Sequence, residues 1–109
     1  MSETALVGAC LIWLKSRGVM AWRNNTGGTY FGHPGQRRRF VRFGVIGSPD
    51  ILGVEVGGRA VLVECKRSPN ELTRAQSVFL EDARRHGAFA VCVYSVSELE
   101  EAWEDAKRS

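Results

Sequence analysis

The sequence predicts an α/β domain in which helices flank a central mixed β-sheet, and three observations support this fold class. Apolar residues recur at helical spacing near both ends of the chain and within residues 73–87. Apolar or alternating runs at residues 19–23, 50–56, 59–66 and 88–94 are typical of strands. The last run follows a helix, which predicts a crossover to a parallel neighbour. The expected order is α-β-(β)-β-β-α-β-α, with an α-β-β-β-α-β core.

The first half of the chain is predicted to hold one helix, two short strands and a loop. Ser2 can cap a helix that ends at Gly18. One face of this helix would carry Leu6, Cys10, Trp13 and Leu14. Residues 19–23 and 39–43 read as short strands. Residues 24–36 are rich in glycine, asparagine and threonine, which predicts a flexible loop.

A hairpin followed by a capped helix is predicted next. Residues 50–56 and 59–66 would pair antiparallel, because Gly57-Gly58 tolerates the positive φ of a tight turn. Thr73 and Gln76 match a capping box, which predicts the start of a helix. The expected apolar side of this helix consists of Ala75, Val78, Phe79, Leu80 and Ala83.

The C-terminal segment is predicted to form a strand and a last helix. Residues 88–94 are almost wholly apolar, which predicts a buried central strand. Ser97 and Glu100 have the spacing of a cap for the helix that follows. The inner stripe of this helix would be Leu99, Ala102, Trp103 and Ala106.

Composition predicts one stand-alone domain over residues 1–109. The chain has 44% hydrophobic residues, and a domain of this length buries a modest core that dimerisation would supplement. No apolar run is long enough for a membrane span, and the first residues lack the basic region of a signal peptide. The odd count of three cysteines argues against a disulfide framework and a structural zinc site, and it suits a reducing cytoplasm.

The net charge of +3 is unevenly distributed. Between Thr4 and Pro49 the chain has no acidic residue, whereas the segment beyond Ser97 is acidic. The basic residues of the first segment are Lys15, Arg17, Arg23, Arg37, Arg38, Arg39 and Arg42. A one-sided basic segment is typical of a polyanion-binding protein. Residues 36–43 interleave arginine with aromatic residues, which favours phosphate contact over a merely solvated surface.

Two carboxylates and a lysine form the strongest candidate site. Alternate residues of a strand share a face, so Glu64 and Lys66 point one way and Cys65 the other. Pairing of the two predicted strands would bring Asp50 beside Glu64. Such a cluster suits a divalent metal with a group that orients water. The alternative is a surface ion pair worth ~0–1 kcal/mol. The strands are otherwise apolar, which favours the metal site.

Several motifs together resemble the PD-(D/E)xK nuclease superfamily, and more narrowly its virus-type replication-repair nuclease (VRR-NUC) domain. The resemblance runs from about Glu3 to Leu99. It is carried by the segment Trp22-Arg23-Asn24-Asn25-Thr26-Gly27, the pattern Phe43-Gly44-x-x-Gly47-x-x-Asp50, the triplet Glu64-Cys65-Lys66 and the downstream Gln76. A cysteine stands between Glu64 and Lys66, where the family usually has a β-branched residue.

The resemblance implies a PD-(D/E)xK restriction-endonuclease-like fold and a DNA endonuclease that uses Mg²⁺ or Mn²⁺. Asp50, Glu64, Lys66 and Gln76 would be catalytic, although Gln76 could equally serve only the capping box. The implied metal ligands are Glu3, Asp50, Glu64 and the backbone carbonyl of Cys65. Stand-alone members resemble homodimers that cut branched DNA such as Holliday junctions, here in the cytoplasm of a bacterial or phage-infected host cell.

The residues expected to contact DNA are Arg23, Asn25, Arg37, Arg38, Arg39, Arg42 and Arg67. Arg23 and Asn25 could instead only hold the neighbouring loop. Trp13 and Trp103 are candidates for a dimer surface if the core does not use them. Two other functions remain open: a nuclease-like module that binds branched nucleic acid without cutting it, and a subunit of a larger restriction or repair complex.

Overall fold

The computed structural model describes residues 1–25 and 27–108, and these form three helices and six strands. Thr26, part of the predicted loop, lies outside the described residues. In chain order the elements are α1 (Glu3–Ser16), β1 (Met20–Arg23), β2 (Gly27–Phe31), β3 (Arg39–Phe43), β4 (Ile51–Val54), β5 (Ala60–Cys65), α2 (Arg74–Arg85), β6 (Phe89–Val93) and α3 (Val96–Arg108).

The main sheet is mixed, as the sequence predicts. Its strand order is β1-β4-β5-β6, with β1, β4 and β5 antiparallel and β6 parallel to β5. The parallel crossover through α2 is therefore confirmed. The prediction that residues 88–94 form a central strand is wrong, because β6 is an edge strand. Its apolar run has another cause: α2 and α3 both pack on β6 and cover its two faces.

Helices cover the sheet from both sides. On one face, α1 and α3 pack against residues such as Ile51, Val63 and Cys65. On the other face, Leu80 of α2 packs against Leu62 of β5. The two clusters alternate along β5, as the period of a strand requires. The result is an α/β/α sandwich whose central strand offers every second residue to α2.

The predicted loop at residues 24–36 is wrong in part, because β2 lies within it. β2 and β3 form a separate two-stranded antiparallel ribbon. All five residues of β2 are exposed, so this strand has none of the hydrophobic alternation by which strands are recognised. The glycines that indicated a loop are instead paired residues of the ribbon, with Gly27 opposite Phe43 and Gly28 opposite Arg42.

Helix caps and faces correct three further expectations. Ser2 and the Thr73 capping box are confirmed. The last helix is capped by Ser95, whose hydroxyl accepts from the Glu98 amide, and not by Ser97. The expected stripe of α3 is buried or packed against the core. On α2, by contrast, Ala75 and Val78 are exposed, so the expected apolar side is wrong at these two positions.

The two tryptophans considered for a dimer surface both pack on the core, Trp103 buried and Trp13 half-buried. Trp103 is buried and packs edge-on against Phe89, with ring centroids 4.9 Å apart. Trp13 packs against Trp103 at 6.0 Å in a T-shaped arrangement. The core therefore uses both rings, and a surface for a partner has to be sought elsewhere.

No helix in the described part of the chain combines the length and the apolar character that a membrane crossing requires.

An ion-pair network joins the β4–β5 hairpin to the C-terminal helix. The turn comprises Val56, Gly57 and Gly58, one residue more than predicted, and both glycines have the predicted positive φ. Glu55, just before it, pairs with Arg59 across the turn, and its Oε1 accepts from Lys107 Nζ of α3 at 2.6 Å. Burial by itself would raise the pKa of Glu55, but the hydrogen bonds from Lys107 and Arg59 outweigh it and lower the pKa.

We expect Glu55→Gln to lower the free energy of unfolding at neutral pH by about 1–3 kcal/mol, because charge-assisted hydrogen bonds are lost. Since the folded-state pKa of Glu55 is lowered, this stabilisation is present above the unfolded value of about 4.3. It disappears as the pH falls through the folded pKa. Urea unfolding at neutral and acidic pH measures both effects. Glu101→Gln, at an exposed position of α3, is the matched control and should change little.

Candidate active site

The β4–β5 register places Asp50 and Glu64 face to face. Ile51 pairs with Val63, so the residues one step outward, Asp50 and Glu64, are opposite each other. Residues directly opposite on neighbouring strands have Cβ atoms about 5 Å apart. Lys66 follows Glu64 by two residues and shares its face of the chain. The predicted association of Asp50 with Glu64 is thus present at the end of the hairpin.

Cys65 lies on the other side of β5, as its position between Glu64 and Lys66 predicts. Its thiol is fully buried with Cys10 of α1, on the face of the sheet that α1 and α3 cover. The neighbouring Cys10 thiol and burial both raise the pKa of Cys65, which keeps it a neutral core residue. All three cysteines are free thiols, consistent with the prediction that they form no disulfide framework.

The Asp50 carboxylate is oriented by the backbone of the strand that carries Glu64. Its Oδ2 accepts a hydrogen bond from the Cys65 amide at 2.9 Å. This bond fixes one carboxylate oxygen of Asp50, and the carboxyl group also hydrogen-bonds to Glu64. The side chain of Asp50 is therefore held at a defined position rather than free to sample solvent.

Asn24 holds the Ser48-Pro49-Asp50 turn and was not recognised in the sequence. Its side-chain amide donates to Ser48 Oγ and to the Pro49 carbonyl, both at 2.9 Å. Its backbone amide donates to the Asp50 carbonyl at 2.7 Å. An asparagine at the end of a strand is common, so the sequence alone gave no reason to select it. Its neighbour Asn25, which was selected, is exposed.

A close approach to α2 fixes the same turn from the other side. Gly47 has φ +84°, and a Cβ at this position would lie 2.5 Å from the Ala75 carbonyl oxygen. Only glycine satisfies both conditions. The glycine two residues before the Pro49-Asp50 pair thus lets the turn rest on the first turn of α2.

Glu64 is a buried carboxylate beside another carboxylate. The residue is only 3% exposed. Burial raises the pKa of Glu64 to about 9, assisted by the hydrogen bond and the negative charge of Asp50. The charge of Glu3 acts in the same direction, whereas the charge of Lys66 opposes it. The exposure of Glu64 is far too low for a surface ion pair, so that alternative is disfavoured.

Glu3 and Gln76 lie at helix N-termini and make local hydrogen bonds. Glu3 Oε2 accepts from the Asn70 side chain at 3.2 Å, and its charge raises the pKa of Glu64. Gln76 Oε1 accepts from the Thr73 amide at 2.9 Å, so the capping-box role of Gln76 is confirmed. That bond uses the amide oxygen of Gln76, and its nitrogen remains chemically able to donate to a ligand.

The basic residues selected from the sequence occupy different parts of the fold. Arg23 ends β1, and its guanidinium passes near Gly8 of α1. Arg67 follows Lys66 directly and is exposed. The remaining arginines belong to the β2–β3 ribbon and its connecting turn: Arg37, Arg38, Arg39 and Arg42. Most of the selected basic residues therefore belong to the ribbon, which is not part of the sheet that carries the acidic residues.

The residues present fit a hard divalent cation. Two carboxylates oppose each other, and their mutual repulsion is what a cation would relieve. Mg²⁺ is commonly held by one or two carboxylates and several waters. Within residues 1–25 and 27–108, no three His, Cys, Asp or Glu side chains are grouped closely enough to hold a metal ion. A two-carboxylate set does not require such a group.

A comparison with protein-family models gives no match for this chain, and a comparison with curated proteins gives none either.

We expect Glu64→Gln to raise the free energy of unfolding in the presence of EDTA, because it removes one of two opposed carboxylates. The folded pKa of Glu64 lies above the unfolded value of about 4.3. The wild type therefore loses stability as the pH rises from that value towards the folded pKa, and the variant does not. Urea unfolding at about pH 5 and about pH 8 measures the difference.

Divalent cations should reverse the order of the two proteins. Saturating Mg²⁺ or Mn²⁺ stabilises the form that binds it, so the melting temperature of the wild type should rise more than that of Glu64→Gln. Glu104→Gln, at an exposed position of α3, is the control and should respond like the wild type. Equal responses of Glu64→Gln and wild type would exclude Glu64 as a ligand.

Proposed function

We propose that the chain is a metal-dependent DNA endonuclease of the PD-(D/E)xK superfamily, similar to the VRR-NUC domain. The observation that carries the proposal is the pair Asp50 and Glu64, opposed on neighbouring strands, with Lys66 close enough for its charge to act on the pKa of Glu64. Burying one carboxylate opposite another lowers the free energy of unfolding unless a ligand compensates their charge. Bound Mg²⁺ or Mn²⁺ would be such a ligand.

In this proposal Asp50, Glu64 and the Cys65 carbonyl would hold the cation. Glu3, predicted as a further ligand, is not grouped closely enough with the two carboxylates and would contribute only its charge. When bound, Mg²⁺ or Mn²⁺ supplies Lewis acidity to the scissile phosphate. The hydrogen bond from the Cys65 amide keeps the Asp50 carboxylate directed towards Glu64. Asn24 supports this arrangement by holding the turn that carries Asp50.

Lys66 would orient the attacking water and place a positive charge beside the phosphate as negative charge develops there. It follows Glu64 by two residues, so the strand itself sets its direction. The Gln76 amide nitrogen would donate to that water or to a phosphate oxygen. Its oxygen is held by Thr73, which would limit rotation of the amide.

The DNA substrate we propose is branched, such as a Holliday junction or a flap. Arginine contacts to phosphates position a protein on DNA without reading its bases. The arginines of the ribbon and of residues 23 and 67 would make such contacts, so cleavage should depend little on sequence. Cytoplasmic location in a bacterial or phage-infected cell is part of the same proposal.

The competing function is a module that binds branched nucleic acid and does not cut it. Salt-sensitive binding is common to both functions, since phosphate contacts release counterions. Only the nuclease gives a reason for the opposed carboxylates and the neighbouring lysine. A subunit of a larger complex is the third possibility, and the mass of the native assembly addresses it.

We expect Lys66→Ala to abolish metal-dependent cleavage while leaving DNA binding nearly unchanged. Loss of one positioned charge typically costs about 10²-fold or more in rate. The assay uses labelled four-way junction, flap, single-stranded and linear duplex DNA with Mg²⁺, Mn²⁺ or EDTA. Lys15→Ala, on an exposed part of α1, is the matched control and should cut normally. Junction binding without cutting by the wild type in every metal would instead support the binding module.

We further propose that the active protein is a homodimer that uses the exposed face of α2. Ala75 and Val78 are exposed there beside Ile46, and together with Phe79 they form the apolar part of a groove that Ser77, Glu81 and Arg85 also line. Arg74 and Asp82 flank this groove. These positions form one stripe of the helix, because residues four apart lie on the same face.

A second copy fits the charges of this stripe. If two α2 helices pack antiparallel with the two-fold axis at Val78, position 74 lies opposite position 82. Arg74 would then face Asp82 of the partner subunit, and the same contact would recur by symmetry. A parallel arrangement would bring like charges together. Self-complementary charge therefore favours a second copy over an unrelated partner.

We expect Val78→Asp to convert the dimer into a monomer, because it places two carboxylates at the centre of an apolar contact. Sedimentation equilibrium or light scattering measures the mass. Val56→Asp introduces the same residue at a 92% exposed position in the β4–β5 turn and should leave the dimer intact. A wild type that is monomeric at high micromolar concentration would contradict the proposed interface.

A further inference from the structure

The β2–β3 ribbon exposes aromatic rings that the core does not use. β2 and β3 pair with each other and are not hydrogen-bonded to the main sheet. The molecule is elongated, with a longest dimension of 57 Å against 31 and 25 Å for the other two. Four aromatic residues of the ribbon are between 41% and 63% exposed: Tyr30, Phe31, Phe40 and Phe43. Exposed rings grouped in this way indicate a binding surface.

One face of the ribbon is a continuous aromatic platform. Tyr30 pairs with Phe40, and their ring centroids are 5.1 Å apart. The Arg42 guanidinium lies 5.9 Å from the centroid of the Phe40 ring. The opposite face is less continuous, because the Thr29–Val41 pair separates Phe31 from Phe43. A planar ligand would therefore find its largest aromatic surface at Tyr30 and Phe40.

Gly28 keeps the Phe40 ring in place on this face. A Cβ at position 28 would collide with the Phe40 ring, so the ring lies directly over the glycine backbone. The glycine that favoured a loop in the sequence thus has a specific use. It leaves room for the Phe40 ring beside Tyr30.

The positive charge of the ribbon indicates which kind of ligand it could bind. Residues 27–43 contain four arginines and no acidic residue. The same ribbon of a second copy would bring like charges together, which disfavours self-association through this surface. A ligand that combines negative charge with planar rings satisfies both the arginines and the aromatic platform. Unpaired nucleotides have this combination, whereas a paired duplex exposes phosphates and hides the base faces.

We propose that the face formed by Tyr30, Phe40 and Arg42 stacks on unpaired bases at a branch of the DNA, while the neighbouring arginines contact phosphates. This inference rests on the proposed function for the identity of the partner, and it adds the feature of a branch that the protein recognises. In this proposal the ribbon binds single-stranded nucleotides, and this binding surface is distinct from the carboxylate site.

Binding is measured by fluorescence anisotropy in EDTA, so that no DNA is cut. The probes are a linear duplex, the same duplex with a single-stranded flap, and that duplex with an abasic flap that keeps every phosphate. The wild type should bind the normal flap about tenfold more tightly than the abasic one, because stacking contributes this much per base. Equal affinity for the two flaps would overturn the proposal, whatever any variant does.

Variants then locate the contact. Tyr30→Ala and Phe40→Ala should each weaken flap binding by about tenfold and leave duplex binding unchanged. Tyr30→Phe keeps the ring and should bind like the wild type, which separates stacking from a disturbed ribbon. Phe31→Ala, on the opposite face, is the matched control and should bind normally. Equal weakening for the flap, the abasic flap and the duplex would show phosphate contact alone.

The flap comparison and the cleavage assay can fail separately. If the wild type cuts branched DNA but does not distinguish the two flaps, the stacking inference fails and the nuclease stands. If the wild type cuts nothing but prefers the normal flap to the abasic one, the nuclease fails and the stacking inference stands.

Discussion

The candidate site depends on the register between β4 and β5. Pairing of Ile51 with Val63 sets Asp50 against Glu64 and allows the Cys65 amide to donate to the Asp50 carboxylate. A shift by one residue would turn Glu64 towards the α1–α3 core and Cys65 towards α2. Burial of a carboxylate among those apolar residues costs several kcal/mol, so the hydrophobic pattern of β5 protects the site geometry. The same strand register therefore determines both the packing of the core and the positions of Asp50 and Glu64.

The same constraint sets the electrostatic state of the site. Glu64 lies beyond Leu62 on the face that α2 covers, where little water reaches it. Low exposure and the nearby Asp50 carboxylate raise its pKa to about 9, an arrangement that destabilises the folded chain unless positive charge is added. Lys66 contributes part of that charge. If the proposed site binds a cation, the bound cation would offset this unfavourable pair and stabilise the fold, which would link folding to binding.

The sequence predicted what strand alternation and turn chemistry determine. The glycines and the apolar residues around them located the hairpin, but a two-residue turn at Gly57-Gly58 would set Asp50 opposite Cys65. The turn also includes Val56, and this extra residue brings Asp50 opposite Glu64. Hydrogen bonds between residues far apart in the sequence cannot be predicted from strand alternation or turn chemistry. Asn24 was therefore assigned no role, although it holds the turn before Asp50. The ribbon was missed because its strands bury nothing, and hydrophobic alternation is the signal by which strands are found. Val78 was assigned to the core because helical spacing identifies an apolar stripe and not what covers it.

The parts that were hard to predict share a physical property: their side chains do not pack against the hydrophobic core, so core packing does not constrain which residues occupy them. The ribbon and the exposed face of α2 keep apolar residues that folding does not bury, including Tyr30, Phe40 and Val78. Exposed aromatic and aliphatic side chains lower solubility and add little to stability, so their retention is best explained by contacts outside the chain. The charges beside them differ: arginines alone in the ribbon, and both signs on α2. A surface with one sign of charge suits a polyanion, and a surface with both signs in antiparallel register suits a second copy. The two proposed surfaces would therefore suit different partners, DNA for the ribbon and a second copy for α2.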